Sequence, residues 1–542
     1  MKHDLSTLNA VRVLACGALL WGCATDANWE DTAKEDTASE GTANEASAAL
    51  VSRAPSARAT KGALDGVRTW IVPDTPNGLV SNQSWFSVGS APDGAIYVTT
   101  NDHTTNSAMF RLPSGSDVLR YVGDARAASE AVDNWLPGET AEKFHVRPIW
   151  YRDRVYVATA DYSNQDDLYL QRRGFHFYAY DERSRDFLDL SASEPNGVAA
   201  EHISIFSSAM DEKRGFLYAL GSPTAHLYQY DIATGKTVDL GRPDVLTRKY
   251  YNPGRFLWVD SRGRVYFTVG TAGTLMPGEP ATPTYVLYWD PVTGWGERTD
   301  WRISEMLRTG QWSWDKKRCY ILDYPLNLYR FDDETGTFTK LGQGQLPSSH
   351  VSTRTGAVRV RSMQLSPNEQ KIYLLNDSAP VNSLFEWDFR RTMTPLELAT
   401  EAELDPKLTP AYTGITGHDS WDDSGRFYFT SFGGEGVPAT PNVMFVGVDP
   451  VRLKTAVGVL PGIASVKLEH GFGHAQWLHR RGDRSVSLDV LLETRDGRAR
   501  KVVHMPAGRP FVLLERRDWH EGWRVIPDGD TYLVDKDHPH AH

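Results

Sequence analysis

Cysteine is nearly missing, with three residues in a chain of 542. Cys16 lies in an N-terminal apolar segment, Cys23 just beyond it, and Cys319 alone in the body of the chain, so the body of the chain cannot close a disulfide within itself. Stability must come from burial of a core, which a domain of this size can supply. Cys319 sits in Arg-Cys-Tyr-Ile-Leu, a strand pattern, and reads as a small buried apolar residue rather than a nucleophile. No internal apolar run is long enough to span a bilayer. No basic run stands out and the formal net charge is −11, which argues against nucleic acid as a partner. Strong helical patterns are absent apart from a short one around residues 394–403. Neither a serine nucleophile elbow, a phosphate-binding Gly-Lys loop nor a dinucleotide fingerprint occurs in a fitting context.

What is present begins at the N-terminus. Lys2 and Arg12 flank the start of a short apolar segment, residues 13–22, too short for a membrane helix and of the length of a signal-peptide core. It ends Leu20-Trp21-Gly22-Cys23. This ending resembles the bacterial lipoprotein signal, in which a Leu-x-Gly-Cys box is cleaved before a cysteine that then carries lipid. The resemblance implies that residues 1–22 are a signal peptide, that Cys23 is the lipidation site, and that the protein sits in the cell envelope, periplasmic or cell-surface. The lipid anchor would be its only tie to a membrane. An ordinary secretory signal with an incidental cysteine is the alternative. Residues 23–65 are dominated by Ala, Thr, Ser, Asp and Glu with few large apolar side chains, the composition of a flexible tether.

From residue 66 to 542 one pattern recurs roughly every fifty to sixty residues. An aromatic strand comes first, then a polar turn, then a strand with Tyr or Phe. Trp85-Phe-Ser-Val precedes Pro92-Asp-Gly-Ala-Ile-Tyr-Val-Thr, and Phe256-Leu-Trp-Val precedes Asp260-Ser-Arg-Gly-Arg-Val-Tyr-Phe-Thr. Such alternation around Asp-Gly or Arg-Gly turns signals hairpins. A second hairpin follows in several copies, as in Leu227-Tyr-Gln-Tyr-Asp-Ile-Ala-Thr-Gly235 and Leu328-Tyr-Arg-Phe-Asp-Asp-Glu-Thr-Gly336. Two hairpins make a four-stranded antiparallel blade, and blades arranged radially make an all-β propeller. First strands are expected near residues 85, 149, 203, 256, 311, 361, 419 and 475, with a partial copy at Trp523. Eight blades are favoured and seven is the runner-up. Ring closure is expected between the segment 525–534 and an N-terminal strand at 67–72.

Near the C-terminal end one word is written three times: His418-Asp-Ser-Trp421, His474-Ala-Gln-Trp477 and His520-Glu-Gly-Trp523. Aligned on the tryptophan of the first strand, Trp85, Trp150, Trp258, Trp312, Trp421, Trp477 and Trp523 fall together, a position suited to packing between blades. Three residues earlier stand Asn82, Arg147, Arg255, Thr309, His418, His474 and His520, with His202 and Arg361 as the equivalents where the Trp is missing and His145 just before Arg147. These positions precede the innermost strand, where one segment from each blade converges on the central channel. Five histidines fall in a window where composition alone gives about one.

Two chemistries fit such a mouth. Imidazoles at His418, His474 and His520 could hold a divalent metal such as Zn, Mn or Fe, with an open position to activate water. Alternatively His145, His202 and Arg361 act on a substrate bound through Arg147, Arg255 and Asn82, the arginines pairing with a carboxylate or sulfate and a histidine serving as base. A polar channel without chemistry is the plain third reading.

The strands at Pro92-Asp-Gly-Ala-Ile-Tyr-Val-Thr, Asp260-Ser-Arg-Gly-Arg-Val-Tyr-Phe-Thr and Asp423-Ser-Gly-Arg-Phe-Tyr-Phe-Thr resemble repeats of the virginiamycin B lyase and NHL-type propellers. In its axial histidines the chain is similar to propeller polysaccharide lyases, which abstract a proton beside a carboxylate, some with a bound metal. That resemblance implies a lyase or hydrolase acting on an anionic or polyhydroxylated ligand, such as a glycan, at the channel mouth. A non-catalytic propeller that binds a surface ligand or a protein is the alternative, since the fold alone does not decide function.

Overall fold

A computed structural model describes residues 54–454 except 103, 162–166, 272–280, 305, 314, 353–357, 367–368, 370, 377–378, 409–419, 423 and 433–441; past residue 454 it describes only the backbone of one helix and of strands as far as Ile526. The Asp-to-Gly turns form as their chemistry requires. Asp231, Asp290 and Asp332 each accept a backbone N–H two or three residues on, and Gly235, Gly294 and Gly336 take φ of 67°, 79° and 64°.

The hairpins assemble into a seven-bladed propeller of four-stranded antiparallel sheets. Inner strands begin at Val88, Ile149, Ser204, Trp258, Leu307 and Val360 for blades one to six. In blade seven the innermost position is represented, among the described residues, by a bridge from Trp421 to Phe427. These are the first seven of the expected starts. The count is therefore seven, the runner-up, and not the favoured eight.

Ring closure differs from expectation in its partner. Val67–Ile71 does close the ring, but it pairs with Met444–Val448, and Thr60–Lys61 pairs outside it. Ser56–Arg58 meanwhile pairs with Val118–Asp124 at the outer edge of blade one. Strands thus already occur at Ser56, inside the stretch expected to be tether, and residues 56–71 staple blade seven to blade one. Across that seam the Trp70 indole N–H donates to the Asp117 carbonyl at 2.9 Å, Arg68 pairs with Asp117, and Trp70, Phe445, Phe86 and Val88 share one buried cluster. The last expected copies are not blades. The strand Ala475–Arg480, which carries Trp477, pairs with Val466–His470 and Phe511–Glu515, and Arg524–Ile526 completes that sheet without any propeller strand. Val486–Thr494 and Gly497–Met505 form a further hairpin of their own.

Packing between blades is aromatic and dry, with Trp258, Tyr266, Trp301 and Phe331 in one cluster and Tyr320, Trp387 and Phe385 in the next. Cys319 is fully buried, as its strand pattern implies, and burial pushes its thiol pKa up. The tryptophan register holds in part. Trp150, Trp312 and Trp421 face equivalent partners, Val155, Cys319 and Phe427, whereas Trp258 is one position earlier in register and Trp85 lies inward of its blade's first strand. The short helical signal becomes the strand Leu396–Thr400 followed by one turn of helix, Glu401–Leu404, capped by Thr400 and Glu403.

Candidate functional site

The innermost strands break their ladders at a common depth. In blades three, five and six a bulge lies between Ile205 and Ser207, Leu307 and Thr309, and Val360 and Ser362. The extra residues are Phe206, Arg308 and Arg361. Blades one, two and four do the same with two extra residues, between Gln83 and Val88, Phe144 and Ile149, and Gly254 and Trp258. A bulge frees one side chain from the alternation of its strand and re-aims it. Here the freed residues include Phe86, His145 and Arg255. Phe86 is held at φ 53°, a left-handed backbone that a bulky residue adopts only when its surroundings impose it.

The re-aimed side chains meet. His145 lies 4.6 Å from the Phe206 ring and 5.2 Å from the Phe86 ring, centre to centre, and stacks over Trp85 at 6.1 Å. The Arg255 guanidinium sits 4.0 Å above Phe206 and that of Arg308 5.5 Å from Phe86. The Lys143 ammonium lies within 6 Å of both Trp85 and Phe206, at 5.7 and 5.9 Å. Phe432 of blade seven closes on Trp85 at 5.3 Å. Six blades thus supply one cationic and aromatic cluster. Lys143, His145 and Arg308 are 3%, 4% and 4% exposed. Burial, followed by the charges of Arg255, Lys143 and Arg308, holds the His145 pKa well below the usual imidazole value, so the ring is neutral at pH 7. Its Nδ1 is buried without a hydrogen-bond partner among the described residues. A neutral base with an open nitrogen, ringed by positive charge, suits an anionic group and a proton in transit.

The other expected site residues are dispersed. Asn82 is half-buried beside the first inner strand, its Oδ1 also without a partner among the described residues. His202, at φ 60°, turns its Nδ1 to the Arg172 carbonyl and its backbone N–H to that of Arg173, so its described contacts lie outside the cluster. Arg147 lines a cavity of about 190 Å³ with Trp258, Trp312 and Asp260, at the end of the blades where first and second strands turn. Arg361 occupies the bulge position equivalent to Arg308 and Phe206; nothing is described of its side chain. His418, His474, His520 and Cys23 lie outside the described residues. The segment bearing His474 leads into the C-terminal sheet and not into a blade, so the three His-x-x-Trp words do not mark three successive blade entrances. Among the described residues no group of three His, Cys, Asp or Glu side chains is placed to hold a metal ion.

Lys143, Arg308, Phe86 and Phe206 were not marked by the sequence. Lys143 could have been, since it precedes His145 by two residues. Arg308 adjoins the aligned Thr309 and takes its place only because of the bulge.

Behind the cluster, Asp161 accepts the Glu142 backbone N–H at 3.0 Å and the Thr140 hydroxyl at 3.2 Å, while Arg172 pairs with Glu142 at 2.6 Å. Burial, with the Glu142 charge adding to it, pushes the Asp161 carboxyl up to about 7. Asp323 receives the Ser304 backbone N–H in the same manner in blade five, and burial raises it to about 6. The repetition assigns both to holding the chain that enters the inner strand.

No protein-family model matches this chain, and no curated protein matches it in sequence. Among solved structures it is similar to a chain of "Crystal Structure of Mitotic Checkpoint Complex", with a TM-score of 0.41 and 11% identity over 71% of this chain and 93% of that one. It is also similar to "Structure of U3-55K", with a TM-score of 0.42 and 9% identity over 68% of this chain and 97% of that one. Both are likenesses of shape; the blade count rests on the strand pairing itself.

Proposed function

We propose that the axial cluster binds the carboxylate of an anionic carbohydrate, and that the protein is an exported propeller, anchored through Cys23, that acts on this ligand as a lyase. The observation that carries the reading is the convergence of Lys143, Arg255 and Arg308 on a neutral His145 whose Nδ1 has no partner among the described residues. A carboxylate placed among the three cations would offset their charge and raise the basicity of His145, which suits the imidazole to accept a proton from the carbon beside the carboxylate. The electron pair of that C–H bond would form a C=C bond as the β carbon–oxygen bond breaks, and the leaving oxygen would take up a proton.

The test is a panel of polyuronates followed by calorimetry and by the ultraviolet absorbance of the unsaturated product. Binding with turnover, and loss of turnover with retained binding in His145→Gln, is the expected result. Binding without turnover would reduce the function to ligand capture. Failure of every polyuronate to bind, with Arg308→Met behaving as wild type, would overturn the axial reading. The anchor is tested separately, by transfer of a Cys23→Ser variant from the detergent phase to the aqueous phase.

A further inference from the structure

A second cavity, of about 610 Å³, lies away from the axis, among the loops on the end of the propeller where inner strands begin. The connection from blade seven to blade one supplies Asn77 and Leu79, the helix Ala125–Glu130 supplies Arg126 and Glu130, and the connection from blade one to blade two supplies Trp135 and Glu139. Its volume is in the range of sites for small organic ligands.

The walls are fixed before any ligand arrives. Asp124, the cap of the helix, is gripped by Asn77 at 3.1 Å and by Asn106 at 2.7 Å and accepts the Ala127 backbone N–H at 2.9 Å. Glu139 is held by Arg173 at 2.8 Å, by His176 at 3.0 Å and by the Leu136 backbone N–H at 2.7 Å. Trp135 is half-buried and packs against the core of blades one to three. Among the described residues, the lining side chains keep some polar groups without a protein partner. The Trp135 indole N–H has no partner. Arg126 uses only its Nε, toward Glu130 Oε1 at 2.7 Å, which leaves two guanidinium nitrogens and one carboxylate oxygen. Exposed Val132 and Leu136 flank Trp135 along the chain.

Charge selects the class of ligand. Arg126 is offset by Glu130, and Arg173 and His176 by Glu139 and Asp189, so the pocket presents no net attraction for an anion. An indole platform with apolar neighbours, combined with a fork of donors and an acceptor, matches a sugar ring, whose C–H face stacks on the indole while its hydroxyls take the polar groups. We infer that this pocket is a binding site for a neutral saccharide, separate from the axial site and independent of any reaction there.

Isothermal titration of the full chain with maltose, cellobiose, lactose and N,N′-diacetylchitobiose tests it. At least one should saturate, with Kd in the millimolar range or tighter. Trp135→Ala should weaken that binding at least about tenfold, Trp135→Phe much less, and Arg126→Met several-fold, with the thermal midpoint of each variant near wild type. Arg308→Met, which disturbs the axis, should leave it unchanged, so that failure of the axial reading and failure of this one are told apart. Absence of saturable binding by all four sugars overturns the inference. So does binding that survives Trp135→Ala, or that is lost in Arg308→Met.

Discussion

The guanidinium carbon of Arg308 stands 5.5 Å from the centre of the Phe86 ring. Arg308 belongs to the fifth blade and Phe86 to the first, three steps apart around a ring of seven, so their contact spans the axis. The axis is crossed at this depth by a cation on an aromatic face, an interaction that gains strength when water is excluded. The same cation bears on His145.

Removing that charge while keeping the stem therefore has a specific expected outcome. In Arg308→Met the His145 imidazole should titrate at a higher pH than in wild type, because one of three repelling charges is gone while burial persists. Nuclear magnetic resonance of ring-labelled histidine reads this directly. An unchanged His145 titration would place Arg308 electrically out of reach.

Asp161 gives a prediction of pH dependence. Its folded pKa of about 7 lies above the unfolded carboxylate value, so the folded state holds the extra proton between them. Its contribution to stability is full below about pH 4 and falls as pH rises through 7. Asp161→Asn keeps an acceptor for the Glu142 N–H and the Thr140 hydroxyl but does not ionise. Denaturant unfolding between pH 5 and 8 should show a flatter profile for the variant, with a gain on the order of a few kcal/mol above pH 7.

His176 behaves as a buried cation between two carboxylates. Burial pulls its pKa down, but hydrogen bonds to Asp189 at 3.1 Å and Glu139 at 3.0 Å outweigh this and raise it. Its stabilising effect is complete below the unfolded imidazole value and is lost as pH rises through the folded one. His176→Ala should cost about 3–5 kcal/mol at pH 6, by leaving two buried carboxylates short of a partner, and less at pH 9. Urea titrations at the two pH values give the comparison.

The seam between blades seven and one makes two contrasting predictions. Trp70→Ala removes a fully buried ring and its bond to Asp117, and should destabilise the propeller by about 3–5 kcal/mol. Deletion of residues 466–526 removes no strand of any blade and should leave the propeller's own unfolding transition in place. Differential scanning calorimetry distinguishes these outcomes from an eight-bladed ring, which the deletion would open.

Much of this architecture could be read from the chain. Turn chemistry at Asp231-to-Gly235 and Asp332-to-Gly336 located the outer hairpins, and the aromatic strands located seven inner strands to within a few residues. The closing partner was misread because Arg524–Ile526 and Met444–Val448 are both short strands near the C-terminal end of the chain, and local pattern does not reveal which of them an N-terminal strand will meet. Of the site, His145 and Arg255 were legible as polar residues ahead of an inner strand. Phe206, Arg308 and the left-handed Phe86 were not, because a bulge shifts the residue that faces the axis by one or two positions and leaves no mark in composition.

The pairing of Val67–Ile71 with Met444–Val448 also sets the order in which the protein can be made. The strand Val67–Ile71, made before any strand of blades two to six, belongs to the last blade to be completed. Until residue 448 has followed it, Trp70 has its blade-one neighbours Phe86 and Val88 but lacks Tyr428 and Phe445 of blade seven. Contacts so distant in sequence form late in folding. Closure of the ring therefore waits on the seventh blade, and a chain cut short of residue 444 would leave Val67–Ile71 without its partner strand.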